Sequence, residues 1–443
     1  MNAFCKSLSL IAVSGACLSV YAYEPIVRCT ETNSDGSCNN KSVTYPAIPL
    51  DRSVGKPIVP ATVGIVVNTN DPESVALGNQ YASRRGIPLA NIVRVALPIS
   101  NSVSRANFAA ATSGLVIPAN VRALALAWNK PYRVENQSIT SAFTDGMENS
   151  INWAQSLCVR TLPNPAYNTK QGATLSRRLS MLLVSGSSYA DSKNLVARAG
   201  NGDGQAWTGT VSYLKTTDQT RTQPRANDYT LSQTQNGGLV NVSVTSANSL
   251  AGVNNVLGYQ LGIATVANLG QVQFREGAFA DTLTSFSGML NENGQTKATE
   301  LIKAGATGSF GTVHEPCAYA EKFPKPSIML NRYLAGDSLL EAYWKSVGWT
   351  TEGLFIGEPL ARPYYVADIV QENGQLHIRT NNRTKAATYD VYEVSSGTPV
   401  LLQTGISVPA GVAAGTLVGN LATPMRNGLP IGSPIFALVQ AGL

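Results

Sequence analysis

The chain has 443 residues, too many for one typical core, so two or three domains are expected. Charged residues make up 14% and hydrophobic residues 44%, a balance that excludes a disordered chain. The formal charge of +6 is spread along the sequence, with no run of Lys and Arg interleaved with aromatics, which speaks against nucleic-acid binding.

The N-terminus reads as an export signal, residues 1–22. Lys6 supplies the positive flank, Ser7 to Val20 the apolar stretch, and Val20-Tyr21-Ala22 an A-x-A-like cleavage site. Ser9, Ser14, Gly15 and Ser19 interrupt the stretch, whereas a membrane span needs about 20 apolar residues. Ser14-Gly15-Ala16 before Cys17 is part of a lipoprotein-processing pattern but lacks the Leu that such a site carries. No later segment is apolar enough to span a bilayer, so the mature chain is expected in the periplasm or outside the cell. Removing the signal leaves Cys29, Cys38, Cys158 and Cys317, an even number for an oxidising compartment. Cys29 and Cys38 bracket a short polar loop, and Cys158 and Cys317 are then left to each other. That second bridge closes a loop of about 160 residues, worth roughly 4–5 kcal/mol if unstrained.

Residues 23–60 are polar, contain prolines and show no clear period; they read as an arm stapled by the first disulfide. Order begins at TVGIVV (62–67), a buried-strand run. In NTNDPESVALGNQYASRRGIP, Asp71 is a good N-cap, Pro72 takes the first helical position, Arg84 and Arg85 fall in the last turn, and Gly86 suits the left-handed cap. NIVRVAL (91–97) follows as a strand, completing a βαβ unit with a parallel pair. VRALALAW and LSMLLV read as strands, the second followed by a short helix near 191–199. Then come GTVSYLKT, GLVNVSVT and NNVLGYQ, a helix across TKATELIKAG, a strand in ATGSFGTV, and two helices, SIMLNRYLAG and SLLEAYWKSV, the latter capped by Asp337. Alternating helices and near-continuously apolar strands predict an α/β domain with a mostly parallel sheet and flanking helices over 61–362. After Pro363 short strands separated by Gly, Asn, Pro and Ser predict a small β-sandwich over 363–443, with Leu376 and Ile378 on one face and His377 opposite.

GSFGTVHEPC (308–317) raises the question of catalysis, because His314, Glu315 and Cys317 crowd into four positions of a chain with two histidines. A Cys–His pair needs a free thiol within hydrogen-bond reach of the imidazole, and a bridged Cys317 cannot attack. Zinc commonly takes three protein ligands, and the second histidine sits in the C-terminal region, so no metal site and no cofactor are expected. ADTLTSFSGML (280–290) sets Asp281, Thr284 and Ser285 among further hydroxyls. It lacks an adjacent histidine and the G-x-S-x-G elbow, so hydroxyls that satisfy the backbone of a buried loop are the plainer reading. In open α/β sheets ligands collect beyond the carboxyl ends of strands. Those ends carry Asn68-Thr69-Asn70-Asp71, Asn129-Lys130, Tyr259-Gln260, and Thr312 to Glu315. Asn68 and Thr69 precede a helix N-terminus, where free N–H groups can hold an anion, although capping alone also explains them.

The blocks NTNDPESVALGNQYASRRGIPLANIVRV, ALAWNKPYRV, YLKTTDQTR, ADTLTSFSGML, GQTKATELIKAGATGSFGTVHEP and GLFIGEPLARP resemble an uncharacterised exported bacterial family associated with the exosortase (PEP-CTERM) sorting system, over about residues 62–363. That resemblance implies context and no reaction. More distantly, the order of elements ending in Gly357-Glu358-Pro359 is similar to gingipain-type cysteine peptidases of caspase-like fold, which carry a His-Gly pair after one strand and the Cys nucleophile after the next. The matching places here are Tyr259-Gln260-Leu261-Gly262 and Asp281 to Ser285, and neither residue is present. The expectation is a degenerate, non-catalytic binding or sorting-associated protein whose partner is a cell-envelope protein or peptide. The alternative is a hydrolase using Asp281, Thr284, Ser285, His314 and Glu315, with Asn68, Thr69, Tyr259 and Gln260 binding ligand.

Overall fold

Val63–Asn68 (β1) is buried along its whole length, as a strand covered on both faces must be. It belongs to a computed structural model that describes residues 26–32, 38–50, 58–151, 153, 158–169, 177–205, 207–292, 294–364, 367–372, 375–380, 387–393, 400–409, 416–426, 429–430 and 436–440. The expected signal segment, with Cys17, lies outside them. Pro72–Arg85 (α1) follows as its sequence dictates: Asp71 accepts from the Glu73 amide at 3.1 Å, and Gly86 closes the helix at φ +65°.

The remaining strands of the main sheet are Ile92–Val95 (β2), Ala123–Leu126 (β3), Leu179–Leu182 (β4), Thr210–Lys215 (β5), Asn241–Ser246 (β6), Val253–Leu261 (β7), Val272–Thr282 (β8), Gly308–Thr312 (β9) and Gly353–Gly357 (β10). With β1 they form ten strands in the order β6-β5-β7-β8-β9-β10-β4-β3-β1-β2. Every neighbouring pair is parallel except β9 and β10, which run antiparallel from Gly308↔Gly357 to Thr312↔Gly353. The fold is mixed α/β, a large mostly parallel sheet with flanking helices.

Those helices are Arg105–Thr112 (α2), Ile139–Asp145 (α3), Tyr189–Ala197 (α4), Gln219–Asn236 (α5), Ala298–Lys303 (α6), Pro326–Leu334 (α7) and Leu339–Ser346 (α8). α8 is buried on every side, which its composition, LLEAYWKS, permits only because each polar group is satisfied. Trp344 stacks on Phe355 with ring centroids 4.2 Å apart and donates to the Ser180 carbonyl at 2.8 Å. A side chain of that size contributes roughly 2–3 kcal/mol when fully buried. The cap of α8 corrects the sequence reading. Ser338, not Asp337, accepts from the Glu341 amide, and Glu341 returns a bond to the Ser338 amide in a capping box, so Asp337 is released to pair with Lys345 at 2.8 Å.

α5 has no counterpart in the sequence reading. Its inward residues, Thr222, Arg225, Ala226, Tyr229, Ser232 and Asn236, keep helical spacing but are mostly polar, and Pro224 sits inside the helix. Hydrophobic periodicity therefore carries no trace of it.

A second sheet gathers Ile26–Thr32 and Cys38–Leu50 with Ala367–Glu372, Gln375–Thr380, Ala387–Glu393, Val400–Val408, Thr416–Leu421 and Phe436–Gln440. Residues 26–50, read from sequence as a strap without a period, thus carry two strands. Pro46 and Pro49 broke the pattern that would have revealed Cys38–Leu50, which pairs with Ala367–Glu372 through residues 43–47 and with Phe436–Gln440 through residues 48–50. The side chains of Cys29 and Cys38, and so their expected bridge, lie outside the described residues. Leu376, Ile378, Tyr389, Val391, Ile406, Val408 and Leu421 form one apolar cluster drawn from strands far apart in the sheet order, so the layer folds over on itself. His377 faces away from that cluster, its Nδ1 2.7 Å from Asn420 Oδ1. Among the described residues no helix is long and apolar enough to cross a membrane.

Candidate functional site

Asp281 stands next to the last residue of β8, at 1% exposure. It takes an ion pair from Arg225 on α5, itself 2% exposed, and a 2.6 Å hydrogen bond from the Gln260 amide on β7. Arg225 also donates to the Leu261 carbonyl at 2.5 Å. Burial pushes the Asp281 carboxyl above its ordinary value, against the pull of Arg225 and Gln260. Beside this network Tyr259 is fully buried, its hydroxyl accepting from the Leu250 amide at 3.1 Å. Thr284 accepts from Arg221 at 3.0 Å and donates to Gln295 at 2.8 Å, so it splints the loop after β8. Ser285 is half-buried, and its carbonyl accepts from Thr312 at 2.8 Å.

His314 lies just past β9. Its ring meets Trp153 edge-on with centroids 5.0 Å apart, and its buried Nε2 has no hydrogen-bond partner. Burial holds its pKa below the usual value, helped by Lys322 and Arg133 and opposed by Glu315. No hydrogen bond joins it to Ser285, Thr284 or Asp281 among the described residues. Glu315 accepts from the Cys317 amide at 2.8 Å, and Cys317 is bonded to Cys158. Cys317 and Ala318 both sit at φ +54°, a conformation that side-chain-bearing residues hold only under constraint. The disulfide and the Glu315 bond provide that constraint, so HEPC is a pinned turn. Below it Lys322 pairs with Glu352, both 0% exposed, two residues that the sequence did not single out.

At the other predicted strand end, the Asn68 side chain accepts from the Leu97 amide at 3.0 Å and donates to the Leu97 carbonyl at 3.1 Å. Thr69 donates to the Val95 carbonyl at 3.1 Å. Both residues tie β1 to the segment after β2 and have their polar groups engaged. The open space lies next to them. A cavity of about 250 Å³ sits beyond the carboxyl ends of β1, β3 and β4, lined by Asp71, Asn129, Lys130, Ser187, Tyr189 and Asn291 among others. Tyr189 donates to Asp71 at 2.5 Å and Ser192 donates to Asn129 at 3.1 Å. Gly186 takes φ +54° on its rim, where a Cβ would stand 2.3 Å from Asp191. Asn129 and Lys130 were legible as strand-end residues. Tyr189 and Asn291 were not, because nothing local marks which loop will reach a neighbouring strand.

Among the described residues no group of three or more His, Cys, Asp or Glu side chains is placed to hold a metal ion. Compared with protein-family models, with curated proteins and with solved structures, the chain matches none.

Proposed function

We propose that the chain is an exported, non-catalytic binding protein built on a caspase-like, peptidase-derived domain with a β-sandwich after it, serving the cell envelope in the context of exosortase-type sorting. The observation that carries this reading is the Gln260–Asp281–Arg225 network. At the two strand ends where the resemblance calls for a histidine and a nucleophilic cysteine, Gln260 and Asp281 are buried, the carboxylate paired with Arg225 and held by the Gln260 amide. Supporting it, Cys317 is spent in a disulfide and the His314 ring is bonded to no hydroxyl. Binding is assigned to the cavity beyond β1, β3 and β4, where ligands of parallel sheets collect. Its partner is a cell-envelope protein or peptide, or a fragment of one. The test is labelling of the oxidised protein with a fluorophosphonate and with a peptidyl chloromethyl ketone, read by intact mass. Unmodified protein is expected; stoichiometric label on Ser285 would establish the hydrolase alternative instead.

A further inference from the structure

We propose that this cavity holds a small zwitterion, an α-amino acid or a dipeptide, with the ammonium group at Asp71 and the carboxylate at Lys130. The inference rests on the binding reading above and names the ligand class for that site. Size comes first: about 250 Å³ falls short of the roughly 300–1,000 Å³ of pockets for drug-sized ligands, and leaves room for one or two residues.

Charge comes next. Asp71 is only 8% exposed, and its position is fixed twice, by the Glu73 amide on one oxygen and the Tyr189 hydroxyl on the other. A carboxylate has about four acceptor positions, so two such bonds leave it able to accept from a ligand. Lys130 makes no ion pair among the described residues. The Asn129 side-chain oxygen Oδ1 is taken by Ser192, which leaves the side-chain N–H groups for a ligand acceptor. A simple anion would meet Asp71, and the helix N-termini that would otherwise favour it are already closed, α1 by Asp71 and α4 by Ser188. A simple cation would meet Lys130. A molecule carrying both charges avoids either repulsion. Ile99, Val184 and Leu290 supply the apolar part of the lining and suit a short aliphatic side chain.

The experiment is calorimetric titration of the full chain with L-leucine and glycyl-L-leucine, beside N-acetyl-leucine and leucine amide. Saturable binding of at least one free zwitterion is expected, with each blocked analogue weaker by about tenfold or more. Asp71→Asn keeps the helix cap, since Asn caps as well as Asp, and should abolish the preference for a free amino group. Lys130→Gln should abolish the preference for a free carboxylate. Binding of leucine alone would identify an amino-acid site, and binding of the dipeptide alone a dipeptide site. Equal affinity for blocked and free forms, or no saturation by either zwitterion up to about 10 mM, would overturn the proposal. Cleavage of glycyl-leucine that disappears in Ser285→Ala, with binding intact, would overturn the non-catalytic reading and leave the ligand class standing.

Discussion

Gln260 and Asp281 are register partners on the adjacent parallel strands β7 and β8, and the Gln260 amide donates to the Asp281 carboxylate across 2.6 Å. With Arg225 reaching in from α5, the bond converts two strand ends that invite a functional reading into part of the interior.

Removing one partner of this network leaves a buried charge uncompensated. Asp281→Ala is expected to cost about 3–5 kcal/mol, whereas Arg225→Met combined with Asp281→Leu should cost far less. Urea denaturation of the single and double variants measures both. Unchanged stability of the single variant would mean that the ion pair is not sealed from water.

The Asp337–Lys345–Glu341 cluster makes a prediction about pH. Burial pushes Asp337 up to about 6, with the Glu341 charge adding and Lys345 opposing. Burial pushes Glu341 the same way, but Lys345 and Arg362 outweigh it and hold that carboxyl low. In the unfolded chain Asp337 titrates near 3.9, so the folded state binds the extra proton between about pH 4 and 6. Stability from this group is fully present below pH 4 and is lost as pH rises through 6. Asp337→Asn should therefore gain on wild type across that window, by on the order of 2 kcal/mol. A difference that stays flat from pH 4 to 7 would show that Asp337 is ionised throughout.

His314 carries the opposite sign. Its folded pKa is depressed, so the stability it contributes is present above the unfolded value near 6.5 and is lost as pH falls through the folded one. NMR titration of the ring should find its midpoint below the ordinary imidazole value near 6.5. A midpoint above 6.5 would require a carboxylate hydrogen-bonded to the ring, and among the described residues its Nε2 has none.

The disulfide spans 159 residues of sequence. Cys158→Ser with Cys317→Ser should lower stability by roughly 4–5 kcal/mol, measured by denaturation against oxidised wild type. Peptide mapping without reductant should recover Cys158 and Cys317 in one fragment; free thiols at both would return HEPC to candidacy as a reactive site.

How much of this was legible beforehand follows the physics of each element. α1 announced itself because Asp71, Pro72, Arg84, Arg85 and Gly86 act locally, and β1 because a strand buried on both faces must be apolar throughout. The Cys158–Cys317 pairing followed from the expectation of export and the count of thiols. α5 was hidden because its inward face carries Thr, Arg, Ser and Asn in place of an apolar stripe, and Arg225 finds its partners on strands far along the chain. The roles of Asp281 and Gln260 were hidden for the same reason: a carboxylate awaiting substrate and one neutralised by Arg225 look alike until folding brings together residues 56 positions apart. Likewise Tyr189 joins Asp71 across 118 residues to frame the cavity.

The most direct measurement is a broad amidase and esterase assay of wild type beside Ser285→Ala and His314→Ala. No turnover above buffer in any of the three is the predicted result. Turnover by wild type that vanishes in both variants would contradict the view that the Arg225-locked strand ends have left this domain to hold ligands without cutting them.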